Sequence, residues 1–206
     1  MKNVIIINVM LVQVFFCRIV FCQTDLEYSN IDSCGNIIVG KDYITDDEII
    51  NEFNINYFNI QNLDIKTIQN LPLQLISDKV KDLSRIPFFQ EGNSEDSDLY
   101  FIGKLAVKNI KFKPYIFAEL TNFYGSSYFL VNYYDNKVIS IIVLASDCVN
   151  VFFREFSVET NSKMTILYDG SIKITSENIY KYQNDLNSRI EFIIDDQGFL
   201  NCKEIK

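Results

Sequence analysis

The sequence contains no histidine and no tryptophan. Without an imidazole there is no histidine general base, no histidine-activated serine or cysteine nucleophile and no histidine-ligated metal. Glycine is scarce and scattered: the seven glycines all stand singly, so no glycine-rich loop can cradle a phosphate. The five cysteines lack the clustered spacing of a zinc site, and a thiolate nucleophile would need some other activating group. No cofactor and no metal is therefore expected. Basic residues are also in deficit, 19 against 27 acidic, and that sign argues against nucleic acid or an anionic membrane surface as a partner.

What is present begins with a distinctive leading segment. Met1-Lys2-Asn3 is followed by an apolar stretch from Val4 to Cys17, broken only by Asn8 and Gln13, and then by Arg18-Ile19-Val20-Phe21-Cys22. The chain turns polar at Gln23-Thr24-Asp25. This is the order of a cleavable export signal, with Val20 and Cys22 small enough to place cleavage after Cys22. A lipoprotein signal acylated at Cys17 or Cys22 is disfavoured by Phe16 and Phe21, which stand where a small residue is needed. An uncleaved anchor is disfavoured by Arg18, which would lie inside a span of about 20 residues.

The expected organisation is a signal peptide over 1–22 and a single exported domain over 23–206, periplasmic or extracellular, with no membrane span after cleavage. Such a domain has 184 residues (206 less 22), long enough to bury about 70% of its unfolded surface. Losing Lys2 and Arg18 leaves 17 basic against 27 acidic residues, a net charge near −10. It also leaves Cys34, Cys148 and Cys202 in an oxidising compartment, an odd number. Cys148 lies in an apolar run and reads as a small buried hydrophobe. Cys34 and Cys202 lie near opposite ends of the mature chain and are the candidate disulfide.

Residues 41–85 read as a helical part. Thr45 with Glu48 is a capping box ahead of Ile49, Ile50 and Phe53, predicting a helix near Asp46 to Asn54. Ile65, Ile68 and Leu71, then Leu73, Ile76, Val80 and Leu83, recur at helical spacing and predict one or two more helices before Pro87. Ile37-Ile38-Val39 suits a short edge strand, and Glu91 to Asp98 reads as a loop.

Residues 99–206 read as an antiparallel β part. Strands are expected over Leu99 to Val107 and Tyr115 to Thr121, with a basic alternating piece Ile110-Lys111-Phe112-Lys113 between them. Hairpins are expected at Asp135-Asn136-Lys137, Asp169-Gly170 and Asp195-Asp196-Gln197-Gly198. Alternation places Val138, Ile142 and Leu144 on one face of a strand and Ile139, Ile141 and Val143 on the other, so both sides must be covered. Ile172 and Ile174 alternate with Lys173 and Thr175, which suits a strand with one wet side. The expected fold class is mainly β (α+β): an antiparallel meander sheet, curved or partly closed, covered by N-terminal helices. A two-layer arrangement and a small barrel both satisfy that pattern.

Carboxylate pairs are the one catalytic option that needs no histidine. Asp46-Asp47-Glu48 reads more simply as the first turn of a helix, and Glu95, Asp96 and Asp98 as solvated loop acids, so no catalytic residue is assigned. Glu95-Asp96-Ser97-Asp98 and Asp195-Asp196-Gln197-Gly198 offer oxygens for calcium without the spacing of a calcium loop. Aromatics gather at Phe123-Tyr124, Tyr128, Tyr133 and Tyr134. Most suit a core, whereas Tyr124 and Tyr134, near strand ends, are the candidate binding residues for a protein or glycan.

The stretch from Phe129 to Ser140, followed by Leu144-Ala145-Ser146 and closed by Asp196-Gln197-Gly198-Phe199, resembles uncharacterised exported bacterial β-rich proteins over residues 99–206. In these, a strand ending in a tyrosine–aspartate turn leads to further strand pairs. The resemblance implies a fold class and no activity. The functional expectation is an exported, non-enzymatic binding domain, with a carboxylate-dependent glycan hydrolase or an inhibitor or immunity-type protein as alternatives.

Overall fold

A computed structural model describes residues 31–38, 41–59, 62–89, 97–121, 125–148, 158–167, 171–180 and 187–205. The export segment, Tyr124, the Asp169-Gly170 turn and the side chain of Cys148 lie outside the described residues. Two short helices, α1 (Asp46–Glu52) and α2 (Ile65–Ile68), accompany three two-residue strands, β1 (Tyr57–Phe58), β2 (Asn62–Leu63) and β3 (Gln74–Leu75). The long strands follow: β4 (Ser97–Leu105), β5 (Lys113–Thr121), β6 (Gly125–Tyr134), β7 (Lys137–Cys148), β8 (Val158–Ile166), β9 (Ile172–Tyr180), β10 (Ser188–Ile194) and β11 (Leu200–Ile205). The protein is mainly β, and β4 to β11 form an antiparallel meander in sequence order that does not close into a barrel.

Turn chemistry fixes the register of this meander. Asp135 and Asn136 both have positive φ, 48° and 63°, and Tyr134 already pairs with Lys137. The connection is therefore a two-residue turn whose twist matches the flanking strands. β7 then takes part in two layers. It pairs with β6 along most of its length, but only Ser146 to Cys148 pair with β8. Beyond that point β7 and β8 diverge, and the segment carrying β2 and α2 enters between them: β2 pairs with β8, and Leu63 and Ile68 are buried in the core beneath.

The central sheet β4–β7 is apolar on both faces. On one, Ile102, Ile116, Leu130 and Ile142 pack against Met164, Ile172, Ile174, Ile194 and Leu200 of the last four strands. On the other, Phe101, Phe117, Phe129 and Val131 meet Ile49 of α1 and Phe53 at its C-cap together with Ile44, Ile76, Ile86 and Phe88. Phe88 stacks on Phe129 with ring centroids 4.2 Å apart, and Phe101 meets Phe117 edge-on at 5.3 Å. Such aromatic pairs contribute about 0.5–1.5 kcal/mol beyond the area they bury.

Two expectations need correction. Strict alternation grouped Val138 with Ile142 and Leu144, yet Val138 faces the α1 side and Ile139 the other. A bulge is the cause: Ser140 pairs with Asn132 while Val138 pairs with Tyr133, so one extra β7 residue shifts the face. Second, the helical spacing over 65–83 yields only the single turn α2, a 3₁₀ turn at Leu83–Arg85 and one isolated turn in which the amide of Val80 donates to the carbonyl of Ile76. Pro72 bounds the first stretch, and the outer edge of β4 recruits the second: Gln74 and Leu75 pair with Phe101 and Tyr100, and the amide of Ile76 donates to Leu99. Long-range backbone pairing outweighs the weak helix propensity of short segments. The same edge begins at Ser97, so the loop expected through Asp98 ends two residues sooner.

The described N-terminal segment clasps the two layers together. Cys34 and Cys202 form a disulfide, with Cα atoms 5.5 Å apart and a separation of 168 positions in the sequence. Alongside it, the carboxamide of Asn36 behaves like a strand peptide toward Leu200, donating to its carbonyl at 2.9 Å and accepting from its amide at 2.7 Å. On the opposite side, the amide of Ile37 donates to Ile139 and that of Ile141 to Gly35. Gly35 has a φ of 101°, and a Cβ there would lie 2.1 Å from the Ile141 carbonyl oxygen, so no other residue fits.

Replacing both Cys34 and Cys202 by serine is expected to lower unfolding free energy by about 2–5 kcal/mol, because the bridge closes a very long loop. Denaturant titration of the oxidised protein against the variant measures this. Equal midpoints would mean that the ends are held without the bridge.

Candidate functional site

The acidic first turn of α1 points into the protein rather than to solvent. Asp46 is only 3% exposed. A carboxylate can be buried there only if it is paired, and β5 supplies the partners from one face: Tyr115 donates its hydroxyl to one oxygen of Asp46 at 2.6 Å, and Lys113, two residues earlier, forms an ion pair with the other. Burial and the anionic acceptor both push the Tyr115 phenol up. Glu48 engages both terminal nitrogens of Arg85, each at 2.8 Å, and also accepts from the Thr45 amide. The Arg85 guanidinium, with that amide, holds the Glu48 carboxyl down to about 2. Asp47 exchanges two hydrogen bonds with Asn136 in the β6–β7 turn. All three acids of the turn thus dock the helix on the sheet.

Around Asp46 the β4–β6 strands place further polar groups. Lys104 is the register partner of Tyr115, and its ammonium sits 5.8 Å from the centre of that ring. Burial pushes the Lys104 ammonium down, and the neighbouring Lys113 adds to the effect. Tyr133, the register partner of Lys113, meets Tyr115 edge-on at 5.5 Å. Its hydroxyl is fully buried and has no hydrogen-bond partner among the described residues. Burial drives that phenol upward too.

A second buried acid lies toward the far end of β5. Glu119 is 2% exposed, sits between Leu99 and Ser127 in register, and bonds to Ser97. Burial raises its carboxyl to about 7. Beyond it, across the last strands, Thr160 donates to Asn178 at 2.9 Å and Asn178 to Ser188 at 3.2 Å, while the hydroxyls of Ser162 and Ser176 are 2.7 Å apart. These side chains satisfy one another.

The residues that the sequence singled out are dispersed. Tyr134 is half-buried against the core shared with the last four strands, and Tyr124 lies outside the described residues, so no face joining the two is visible. In the 195–198 turn, one oxygen of Asp195 accepts from the amides of Gln197 and Phe199, and Asp196 pairs with Lys111. Those oxygens shape the turn. The Asp46, Lys113, Tyr115, Lys104 and Tyr133 cluster was not anticipated, although the spacing of Lys113 and Tyr115 on one strand placed both on the same face. Among the described residues, no group of three or more acidic or cysteine side chains is arranged to hold a metal, and no helix is long and apolar enough to cross a membrane. No protein-family model, curated protein or solved structure matches the chain.

Two paired outcomes check this geometry. Tyr115→Phe removes a hydrogen bond to a buried carboxylate and is expected to cost about 1.5–3 kcal/mol, whereas Tyr133→Phe removes a hydroxyl with no partner among the described residues and should change stability by less than about 0.5 kcal/mol. Comparable losses in the two variants would contradict the assignment. For Glu119 the sign is that of a raised acid: the folded form keeps its proton longer than the unfolded chain, whose carboxyl titrates near 4.5. Stability is then greatest below about pH 4.5 and falls as pH rises to about 7, by roughly 2–3 kcal/mol, from this group alone. Thermal or urea unfolding across that range should show the loss in the parent and its absence in Glu119→Gln.

Proposed function

We propose that the chain is an exported, non-enzymatic domain that binds a protein or glycan in the periplasm or at the cell surface. The observation that carries the export reading is the Cys34–Cys202 bridge, which ties a segment near the start of the mature chain to the last strand. Disulfides of this kind persist in oxidising compartments, and the sequence over 1–22 has the order of an export signal. Resemblance to exported bacterial β-rich proteins accords with that location.

The non-enzymatic part rests on how the acids are used. Asp46, Asp47 and Glu48 dock a helix, and Glu191, on the outer face of β10, is held by Lys173 and Lys203. Glu119 has the raised carboxyl that a glycosidase acid requires, which is what favours the hydrolase alternative. Against it, Glu119 is sealed from solvent, and among the described residues no second carboxylate acts on it. A protein that binds through an acidic surface to a basic partner, as an inhibitor or immunity protein does, fits the net charge near −10 of the mature chain.

The test is expression with its own leader, followed by intact-mass measurement of the secreted product. Cleavage before Gln23 and a mass two hydrogens below that of the fully reduced chain are expected. Retention of residues 1–22 in the cytoplasm, or a fully reduced chain, would remove the export reading. Release of sugar from a cell-wall or polysaccharide substrate, abolished in Glu119→Gln, would replace the binding reading with the hydrolase.

A further inference from the structure

We propose that Lys104 and Lys113, with Tyr57 beside them, form a recognition site for a carboxylate group. Lys104 comes from β4 and Lys113 from β5, and both lie beside the single carboxylate of Asp46. Asp46 has already committed one oxygen to the Tyr115 hydroxyl and the other to Lys113. Two ammonium groups therefore flank one carboxylate whose two oxygens are both already engaged.

The shortage falls on Lys104. Its ammonium is partly withdrawn from water and lies against the Tyr115 ring at 5.8 Å, with neither an ion pair nor a hydrogen bond from its side chain among the described residues. An ammonium has three donors to satisfy, and a ring face supplies only part of what water supplied. An incoming carboxylate would accept those bonds. Access exists: Tyr57, the register partner of Lys104 across β1 and β4, is 67% exposed, and the Lys113 side chain is 43% exposed. Tyr57 offers an aromatic flank to whatever carries the acid.

The carboxylate could belong to a small free acid or to an acidic side chain of a polypeptide, and two probes separate these sources. Succinate and a hexaglutamate peptide are titrated into the secreted, disulfide-bonded protein while the lysine side-chain resonances are followed by NMR, with sodium chloride at matched ionic strength as control. The expected result is saturable movement of the Lys104 and Lys113 signals with at least one probe. Affinity should weaken at least tenfold in Lys104→Met, which keeps the apolar stem, and stay unchanged in Lys173→Gln, whose lysine is already paired with Glu191. Saturation by succinate assigns the site to free acids, and saturation by the peptide alone assigns it to an acidic segment. No saturable shift with either probe, equal shifts with chloride, or undiminished binding in a folded Lys104→Met overturns the proposal. Such a failure would leave the export reading intact, since that is judged by mass and not by titration.

Discussion

A four-stranded sheet that is apolar on both faces cannot stand alone in water. In β4–β7 the large side chains on either side are almost wholly removed from solvent, and each needs a cover of its own. One cover is the continuation of the same meander, β8–β11. The other is assembled from short pieces of the preceding segment, none of which has the length to be a stable element by itself. Hydrophobic burial against the sheet gives those pieces their shape. At roughly 25 cal/mol per Å² of apolar surface removed from water, a few inserted phenylalanines and isoleucines outweigh the local preferences of a seven-residue helix.

That dependence also explains the charges at the helix–sheet boundary. α1 begins with three acids, which suits the positive end of a helix but clashes with a greasy docking surface. The structure resolves the conflict by giving each acid its own donors: Tyr115 and Lys113 for Asp46, Asn136 for Asp47, Arg85 and Thr45 for Glu48. These contacts are directional, so they set the angle and position of a helix that apolar packing would merely attract. The cost is carried by Lys104 and Tyr133, whose polar ends lie near the network without a full set of partners among the described residues.

The long strands were legible because their signals are local: turn residues at Asp135-Asn136-Lys137, of which Lys137 proves to be the first strand residue, alternation in β9, and turn residues ahead of β11. The two-sided apolarity of β7 correctly demanded two covers. The bulge that turns Val138 to the opposite face was not legible, since it arises from cross-strand pairing and leaves no trace in composition. Nor was the fate of residues 65–83, where Ile76 and Val80 keep helical spacing but satisfy it with one isolated turn beside the β4 edge. Of the candidate binding residues, Tyr134 is largely absorbed into packing. The Asp46 cluster escaped notice because it joins positions 46, 104, 113, 115 and 133, which only the register of three strands and a helix brings together.

The way the small segments lie along the sheet has a consequence for behaviour in concentrated solution. Asn56 to Phe58 and Gln74 to Ile76 occupy hydrogen-bonding positions along the outer edge of β4, β2 occupies part of β8, and residues 35–37 run beside β7. Exposed strand edges are the usual starting points for one molecule to add onto another. Here these stretches of edge are already occupied, and by elements that contribute few strand pairs of their own. Any route to fibrils through them would begin with the detachment of a guard segment, which makes the least regular part of the chain its protection against self-association.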